Sequence, residues 1–433
     1  MIASGWLVVQ LRRVASSLCD GPFGSSLKSS HYADSGVRVI RLQNIGRGMF
    51  LNQNKAYISN DHFEALRGHE AIPGDLLVAA LGDERRPVGR ACRLPDAIPT
   101  ALVKADCFRV RLDGTVDHGF VAYWLNSDVG ARALAANAKG TTRSRISLED
   151  LRSLKLLLPP FPTQTAIANF LDRKTAAIDA LIEKKERLIA LLAEKRAALI
   201  HRAVTKGLDP DVPMKDSRVP WIGEIPAHWK VKRLKYICRV ESGHTPSRSV
   251  PDYWIEDECT IPWVSLNDTA MLAQSDFISD TYYQISDTGI RNSSAHLIEA
   301  GAVVFTRDAT IGLSAITMMQ AAVSQHLIAW VCGPTLYNRY LLRTTEAMTQ
   351  ELDSLTFGAT IKTIGMADIR KLASPVPPVH EQVAIVERID SEVESNGKLQ
   401  GKISNQIDRL KEYRQALITA AVTGQLDIPE ANP

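Results

Sequence analysis

The sequence predicts an α+β protein made of two tandem α+β domains, each followed by a long α-helix. Two apolar seams are the first observation: in residues 163–204, and again in residues 381–422, aliphatic side chains recur at spacings of three, four and seven, as in a coiled coil. The second observation is that corresponding seam residues, such as Ile167 and Ile385, lie 218 positions apart. A segment encoding a long helix has therefore been duplicated.

Each predicted helix is too long to be buried in one small domain, because roughly 42 residues at about 1.5 Å rise make a rod of about 63 Å. We therefore expect the helices to pack on each other through Ile167, Leu171, Ile178, Leu181, Leu188, Leu192 and Leu199 in the first, and Ile385, Ile389, Leu399, Ile403, Leu410 and Leu417 in the second. Lys174 and Lys185 occupy polar steps of this frame. Gly397 and Gly401 share one face, which indicates either close approach of another helix or a bend.

The duplication extends to the globular segments. Residues 6–14 resemble residues 229–237, and each opening is followed by a Gly/Pro/Ser loop, at 21–26 and 242–247. Matching strand patterns follow in both halves, at 37–42 and 261–266, at 75–80 and 302–306, and at 108–112 and 326–330. A matching helical pattern comes next, at 120–126 and 338–344. Strands followed by a helix, twice over, indicate α+β domains.

Diproline steps mark the predicted boundaries, since proline ends a strand and is tolerated at the start of a helix. Each follows a small polar loop, at residues 139–146 and 357–364. The predicted bounds are 1–158 for the first domain, 159–216 for the first helix and linker, 217–376 for the second domain, and 377–433 for the second helix and tail.

Composition is that of an ordinary globular protein, with 45% hydrophobic and 23% charged residues among 433. The six cysteines form no C-x-x-C pair, so we expect a reduced, cytoplasmic protein without a zinc site or a disulfide framework. No apolar run approaches the roughly 20 residues that span a bilayer, so we expect no membrane partner.

Residues 1–158 carry 21 Lys and Arg against 15 Asp and Glu, whereas residues 217–376 carry 14 Lys and Arg against 16 Asp and Glu. Charge alone therefore supports a nucleic-acid partner only weakly.

Catalytic motifs are missing from the sequence. There is no G-x-x-x-x-G-K-[ST] loop, no glycine-rich cofactor fingerprint after a strand, and no H-x-H or H-E-x-x-H spacing. The run at 158–161 resembles the Pro-Pro-aromatic core of amino-methyltransferase active sites. That core needs Asn, Asp or Ser before the prolines to bind the target amino group, and Leu158 cannot do so. We interpret the run as the diproline start of a helix. Glu183-Lys184-Lys185 has the E-x-K spacing found in some nucleases, but it lies on the seam-bearing helix and lacks a Pro-Asp strand as partner. We interpret it as a solvated helix face. We therefore predict no catalytic residue, no metal ligand and no cofactor.

Four features together resemble one known family. They are the run DSRVPWIGEIPAHW at residues 216–229, the run PPVHEQ at 377–382, the helix ends R-x-A-L-I-x-x-A-V-T at 196–205 and 414–423, and the tandem order itself. With them the chain resembles the specificity (S) subunit of type I restriction-modification systems over nearly its whole length. Two departures stand out: Thr163 occupies the place of Glu381, and the first half lacks the WIGEIP leader.

The resemblance implies a non-catalytic subunit. Its two target recognition domains would each read one half of a split double-stranded DNA target, while its helices pack as an antiparallel coiled coil that holds two methyltransferase subunits. A restriction subunit is a further partner that the resemblance leaves open. S-adenosylmethionine, Mg²⁺ and ATP would then be bound by the partner subunits only.

Basic residues beside small ones in loops are the best candidates for DNA contacts, because small residues let a loop approach phosphates and Arg or Lys supplies the charge. The candidates are Arg85, Arg86, Arg90, Arg143 and Arg145 in the first half, and Arg307 and Lys362 in the second. Ordinary solvated loops are the alternative for each. A coiled-coil scaffold whose α+β domains bind proteins or ligands is the competing function, and it suits the weakly acidic second half.

Overall fold

The computed structural model describes residues 5–140, 142–358 and 362–428. Thr141 and residues 359–361, which belong to the two predicted polar loops, lie outside this part. The chain forms two compact units, residues 1–186 with 404–433 and residues 187–403. Each unit combines one α+β domain with part of each long helix, so the predicted fold class is confirmed. The unit bounds fall inside the helices, and the predicted domain bounds stay predictions.

In its described residues the first domain has thirteen strands and four short α-helices before the first long helix. The strands are β1 (Leu7–Gln10), β2 (Ala15–Asp20), β3 (Tyr32–Ala33), β4 (Val37–Ile40), β5 (Tyr57–Ile58), β6 (Glu70–Ala71), β7 (Leu76–Ala79), β8 (Leu81–Gly82), β9 (Ala91–Arg93), β10 (Ala101–Val103), β11 (Cys107–Leu112), β12 (Ser144–Arg145) and β13 (Lys155–Leu158). The helices are α1 (Asn60–Ala65), α2 (His118–Asn126), α3 (Asp128–Ala135), α4 (Leu148–Arg152) and the long α5 (Phe161–Lys206).

The second domain repeats this plan. Its strands are β14 (Met214–Asp216), β15 (Glu224–Pro226), β16 (Lys230–Arg233), β17 (Cys238–Ser242), β18 (Cys259–Val264), β19 (Phe277–Ile278), β20 (Tyr283–Ser286), β21 (Val303–Thr306), β22 (Ser314–Thr317), β23 (Ala322–Val323), β24 (Leu327–Cys332) and β25 (Ala373–Val376). Its helices are α6 (Thr269–Gln274), α7 (Asp287–Arg291), α8 (Asn338–Ala347), α9 (Thr349–Ser354), α10 (Met366–Ile369) and the long α11 (Val379–Val422).

The two domains contain related sheets that differ in strand number. One sheet has the order β2-β11-β7-β9 in the first domain and β17-β24-β21-β22-β19 in the second. Another has the order β3-β5-β4-β10-β6 in the first domain and β20-β18-β23 in the second, and each contains one parallel pair, β4 with β10 and β18 with β23. The last strand of each domain pairs antiparallel with an early one, as β13 with β1 and β25 with β16. The chain thus returns to its starting point before each long helix begins.

A buried glutamine fixes the start of each long helix to its own domain. The Gln164 amide donates to Pro159 O at 2.8 Å and accepts from Asp117 N at 2.9 Å, just before α2. The Gln382 amide likewise donates to Pro377 O at 2.8 Å and accepts from Tyr337 N at 2.7 Å, just before α8. Both side chains are buried and have their hydrogen bonds satisfied, as a buried amide requires.

The second helix start has an additional anchor. Glu381, in the first turn of α11, accepts a hydrogen bond from the Trp229 indole N–H at 2.8 Å, and its other oxygen lies 2.8 Å from His228 Nε2. His228 and Trp229 end the run at residues 216–229, whose last residue corresponds to Trp6 in the first half. The start of α11 is therefore joined to the end of that run.

The two long helices run antiparallel where both enter the first unit. Arg414 of α11 forms two hydrogen bonds with the Asp179 carboxylate of α5, at 2.9 and 3.1 Å. Further along α5, Lys185 Nζ donates to Gln406 Oε1 at 2.7 Å. The partner residue number falls as the α5 residue number rises, so the predicted antiparallel packing is confirmed in this unit.

Burial separates the predicted seam residues into two groups. Those that are buried are Ile167, Leu171, Ile178, Leu192, Ile385, Ile389, Ile403 and Leu417, with Leu199 and Leu410 half-buried. We expected Leu181, Leu188 and Leu399 to be buried as well, and this was wrong, because they are 42, 43 and 44% exposed.

The reason is the phase of the helix. In α5 the half-buried Ile182 and Ile189 follow Leu181 and Leu188 directly. Neighbouring residues are rotated by about 100° around an α-helix, so only one residue of each apolar pair can face the seam. In α11 the half-buried Gln400 takes the step beside Leu399. The apolar pattern allowed either phase, and packing decided it.

Helix α11 runs unbroken through Gly397 and Gly401. A Cβ atom built at either position meets no other atom of the described chain within 4 Å, apart from its chain neighbours and the nearby backbone of its own helix. Of the two explanations for these glycines, close approach by another helix is therefore not observed.

Arg90 is a structural residue of the first domain rather than an exposed cation, which corrects its assignment as a DNA contact. Its guanidinium is buried and donates to the carbonyl oxygens of Leu42, Ile45, Leu81, Arg86 and Pro87 at 2.8 to 3.3 Å. Burial lowers the pKa of Arg90. The side chain ties the loop after β8 to the turn after β4.

Two leucines of α5 test the seam. Leu171 is fully buried in the core of the first unit, so Leu171→Ala should lower the free energy of unfolding by about 2 to 5 kcal/mol. Leu181→Ala, the matched change at an exposed site, should lower it by less than about 1 kcal/mol. Urea unfolding followed by circular dichroism measures both. Equal losses would mean that the seam phase described above is incorrect.

Arg90→Ala should lower the free energy of unfolding by roughly 3 kcal/mol, because several buried carbonyl groups lose their donor. Arg86→Ala, in the same loop but exposed, should change it by less than about 0.5 kcal/mol. Thermal unfolding of the two variants under identical conditions checks this. An unchanged melting temperature for Arg90→Ala would mean that these hydrogen bonds do not stabilise the folded domain.

Candidate nucleic-acid interface

In the first domain the predicted basic residues come together on two neighbouring loops, residues 82–89 and 139–145, which we name the first loop pair. The loops are joined by the antiparallel pairing of β8 with β12, in which Ser144 lies opposite Gly82. The second loop closes tightly, since Lys139 and Arg145 exchange two backbone hydrogen bonds of 2.8 Å. A Cβ at Gly140 would lie 2.4 Å from Arg143 O. Glycine is therefore required for this turn.

The cations of the first loop pair differ in their freedom. Arg85, Arg86 and Arg143 are exposed, and the last two line one shallow cleft of about 200 Å³. Arg145 is exposed but already engaged: it pairs with Asp106, and its guanidinium lies 5.7 Å from the centre of the Phe23 ring. These contacts orient Arg145, whereas the other three remain available to an anionic partner.

The second domain builds a similar arrangement from residues 307–312 and 357–364, the second loop pair. Ala309 N donates to Lys362 O and Ile364 N donates to Arg307 O, both at 2.9 Å. Phe357 and Thr363 exchange backbone hydrogen bonds of 3.0 and 2.9 Å. The structure therefore brings Arg307 and Lys362 onto adjacent loops, although they are far apart in sequence.

Arg307 and Lys362 are not equally accessible. Lys362 is exposed. The Arg307 side chain is only 19% exposed, and its Nε lies 3.9 Å from Asp308 Oδ1. The other oxygen of that carboxylate lies 2.7 Å from Nδ1 of His326, which is itself half open to solvent. Asp308 thus orients a histidine beside the loop pair, a group that the sequence pattern did not single out.

A second residue missed by the sequence analysis is Arg248. Its guanidinium lies 5.5 Å from the centre of the Trp254 ring and 5.7 Å from that of Tyr283. Stacking on aromatic rings holds a cation while leaving its N–H groups free. The sequence held a signal for Arg248, because this residue directly follows the Gly/Pro/Ser loop at residues 242–247. What the sequence could not show is that Trp254 and Tyr283 meet there.

Two tryptophan side chains hold the loop that carries Arg248. The indole N–H of Trp254 donates to Ser247 O at 3.1 Å, and that of Trp263 donates to His244 O at 3.2 Å. At the loop's start, a Cβ at Gly243 would lie 1.8 Å from Val323 O. Gly21 occupies the same place in the first domain, where a Cβ would lie 2.0 Å from the Lys104 carbonyl carbon. Both domains therefore hold this loop by close backbone contact.

Among the described residues, no group of three or more His, Cys, Asp or Glu side chains could hold a metal ion. No helix in that part of the chain is both long and apolar enough to cross a membrane.

Known proteins show the same organisation. The family model of the type I restriction modification DNA specificity domain matches residues 103–190 and 226–409. The type I restriction enzyme MjaIX specificity subunit of Methanocaldococcus jannaschii is 28% identical over 190 residues, which are 43% of this chain and 43% of that relative. The EcoBI specificity subunit of Escherichia coli is 22% identical over 98% of this chain and 87% of the relative.

Solved structures share the fold. The HsdS subunit from Thermoanaerobacter tengcongensis aligns with a TM-score of 0.52 at 16% identity, over 98% of each chain. A chain solved in work on complex assembly and conformational transition of the type I R-M system aligns with a TM-score of 0.68 at 18% identity, over 98% of this chain and 100% of that one. Since the family model matches more than half of the sequence, the chain belongs to the family of type I restriction-modification DNA specificity proteins.

Proposed function

We propose that this chain is the non-catalytic specificity subunit of a type I restriction-modification complex and reads a double-stranded DNA target split into two half-sites, one for each domain. The observation that carries the proposal is the duplicated loop pair. In each domain two loops distant in sequence are hydrogen-bonded together and present exposed cations, Arg143 in the first and Lys362 in the second. A scaffold that binds proteins has no need of cations at both places.

The geometry of the first loop pair suits a DNA backbone and groove. A tight turn with glycine at position 140 can approach phosphates, and the exposed Arg86 and Arg143 can neutralise them or form a bidentate contact with guanine. The planar guanidinium of Arg145 is oriented in advance by Phe23 and Asp106. Little conformational entropy is then lost when such a side chain binds.

The second domain supports a different half-site. Its exposed candidate contact residues are Lys362 and Arg248, and His326 lies beside the second loop pair. Four carboxylates within residues 252–258 follow Arg248 along the chain, so this surface is not uniformly basic. Contact with DNA would therefore depend on a few well-placed groups rather than on a broad positive field, which favours base reading over nonspecific attraction.

The partners are methyltransferase subunits and, where the complex also cleaves DNA, restriction subunits. We place the methyltransferases on the long helices, where Leu181, Leu188, Leu191 and Leu399 are exposed leucines. Large exposed apolar groups mark surfaces that a partner covers. S-adenosylmethionine, Mg²⁺ and ATP would be held by those partners.

Exchanging residues 1–158 for the corresponding domain of a relative should change one half of the methylated target and leave the other half unchanged. Long-read methylome sequencing of cells that express the exchanged chain with its methyltransferase subunits measures both halves at once. The chain without partners should transfer no methyl group. If both half-sites changed together, one composite surface would have to replace the two-reader arrangement.

Arg143→Ala and Arg248→Ala should each weaken the complex on one half-site by about 1 to 3 kcal/mol if the residue reads guanine, with relaxed choice at a single base. A phosphate contact would instead weaken binding equally on all sequences. Matched controls are Lys155→Ala in β13 and Lys230→Ala in β16, both exposed lysines. Fluorescence anisotropy with duplexes altered in one half-site separates these outcomes.

Wild-type binding to the split duplex decides first whether the chain reads DNA at all. If all four variants then bind every duplex as the wild type does, the contact surface lies elsewhere in the domains. If the wild-type complex shows no preference among duplexes, the scaffold function becomes the better explanation.

A further inference from the structure

Two cysteines that are far apart in the sequence face each other in the second domain. Cys238 is the first residue of β17 and Cys332 the last of β24, and the antiparallel register places them directly opposite. Gly333 N donates to Ile237 O at 2.9 Å, so the adjacent cysteine pair is of the non-hydrogen-bonded kind, because the two kinds alternate along such a ladder. Side chains come closest in pairs of this kind.

This geometry fits a disulfide. Opposed residues in a non-hydrogen-bonded pair have Cα atoms about 4.5 Å apart, within the range of about 4.4 to 6.8 Å that disulfides span. Both side chains pack against the same apolar cluster, Cys238 inside it and Cys332 at its edge. A hydrogen bond between the two thiols, together with burial, raises the pKa of Cys238. The register therefore places the two side chains opposite each other while both cysteines are free thiols.

The pair is accessible from one side. Cys238 is buried, but Cys332 is half-exposed, and both line an open cleft of about 640 Å³. Lys232 and Lys235 line the same cleft, together with Arg239, which is paired with Glu241 and Glu299. The two lysines attract small anions. An anionic thiol or disulfide could therefore reach the Cys332 sulfur.

We propose that Cys238 and Cys332 form a reversible oxidation site. A small anionic oxidant such as oxidised glutathione converts the two thiols into a disulfide bond. The Cys332 thiolate attacks one glutathione sulfur, the glutathione S–S bond breaks, and one glutathione thiolate leaves. Cys238 then loses its proton to solvent and attacks the Cys332 sulfur, which releases the second glutathione. Two protein thiols are oxidised and one small disulfide is reduced to two thiols, so electrons and atoms balance.

Each of the other four cysteines lacks an opposed cysteine, access to solvent, or both. Cys92 and Cys107 are fully buried, and burial raises the pKa of Cys92 to about 12. Neither is paired with a cysteine, since Cys92 lies opposite Leu77 and Cys107 opposite Ala79. Cys19 and Cys259 are half-exposed but lie opposite Arg109 and Ser286. Selectivity for the pair therefore follows from the register of the sheet.

A disulfide here would close the end of the ladder between β17 and β24. Strand β17 leads directly into the loop that carries Arg248, and β24 is the central strand on which β17 and β21 both pair. Joining the two strands constrains the unfolded chain over a long loop, which stabilises the folded domain. The proposal does not depend on DNA reading, because it concerns the chemistry of the pair alone.

The test uses the full chain, incubated reduced with increasing oxidised glutathione, quenched with N-ethylmaleimide, digested and analysed by mass spectrometry. The expected result is a peptide disulfide between Cys238 and Cys332 that forms before any other modification and disappears with dithiothreitol. The apparent melting temperature of the oxidised protein should rise by about 5 °C or more. Cys238→Ser should instead stop at a stable glutathione adduct on Cys332.

Cys259→Ser is the matched control, because it removes a half-exposed cysteine that has no opposed thiol. It should leave disulfide formation unchanged. The proposal is overturned if oxidation yields no Cys238–Cys332 peptide, if Cys19 or Cys259 reacts equally fast, or if Cys238→Ser gives no adduct on Cys332. Alkylation rates of the native wild-type chain give the same ranking of thiols without any substitution.

Discussion

The constraint on which the rest of the structure depends is the pair of buried amides at the starts of the long helices. Gln164 and Gln382 each join a proline carbonyl at the end of the last strand to a backbone N–H just before the domain's main helix. A buried amide must satisfy both its donor and its acceptor, and leaving either unpaired costs about 1 to 3 kcal/mol. Each long helix is thereby fixed in direction relative to its own domain, and a domain can then hold its loops in a defined place beside that helix.

The two copies of this arrangement have diverged around the same core. The second copy adds Glu381, which accepts from Trp229 and lies against His228 at the positive end of α11, where a carboxylate is favoured. The first copy has Thr163 at the position of Glu381. The loop pairs differ more: one presents Arg86 and Arg143, the other Lys362 with a half-buried Arg307. Divergence at the loops over a common scaffold fits the proposed reading of two unlike half-sites.

Arginines illustrate how one residue type takes opposite roles within a few positions. Arg86 is exposed, whereas Arg90 uses its guanidinium to hold carbonyl groups of two chain segments, the turn after β4 and the β8 loop. The loop that presents Arg86 is stable because Arg90 is buried beneath it. Arg248 shows a third role, a cation oriented by two aromatic rings. Cysteines show the same dependence on context, since the sheet register places Cys238, at the start of β17, opposite Cys332, which is half-exposed.

By itself the sequence determined the α+β class, the duplication, the two long helices and the loops in which basic residues are concentrated, because these follow from local periodicity and from residues such as Pro159 and Pro377. Tertiary structure alone decided which apolar phase of α5 faces the seam, since Leu181 and Ile182 are equally apolar and only packing distinguishes residues about 100° apart. It also decided that Arg90 is buried and that Cys238 meets Cys332. Each of these outcomes depends on which segments distant in sequence become neighbours, and one sequence carries no record of that.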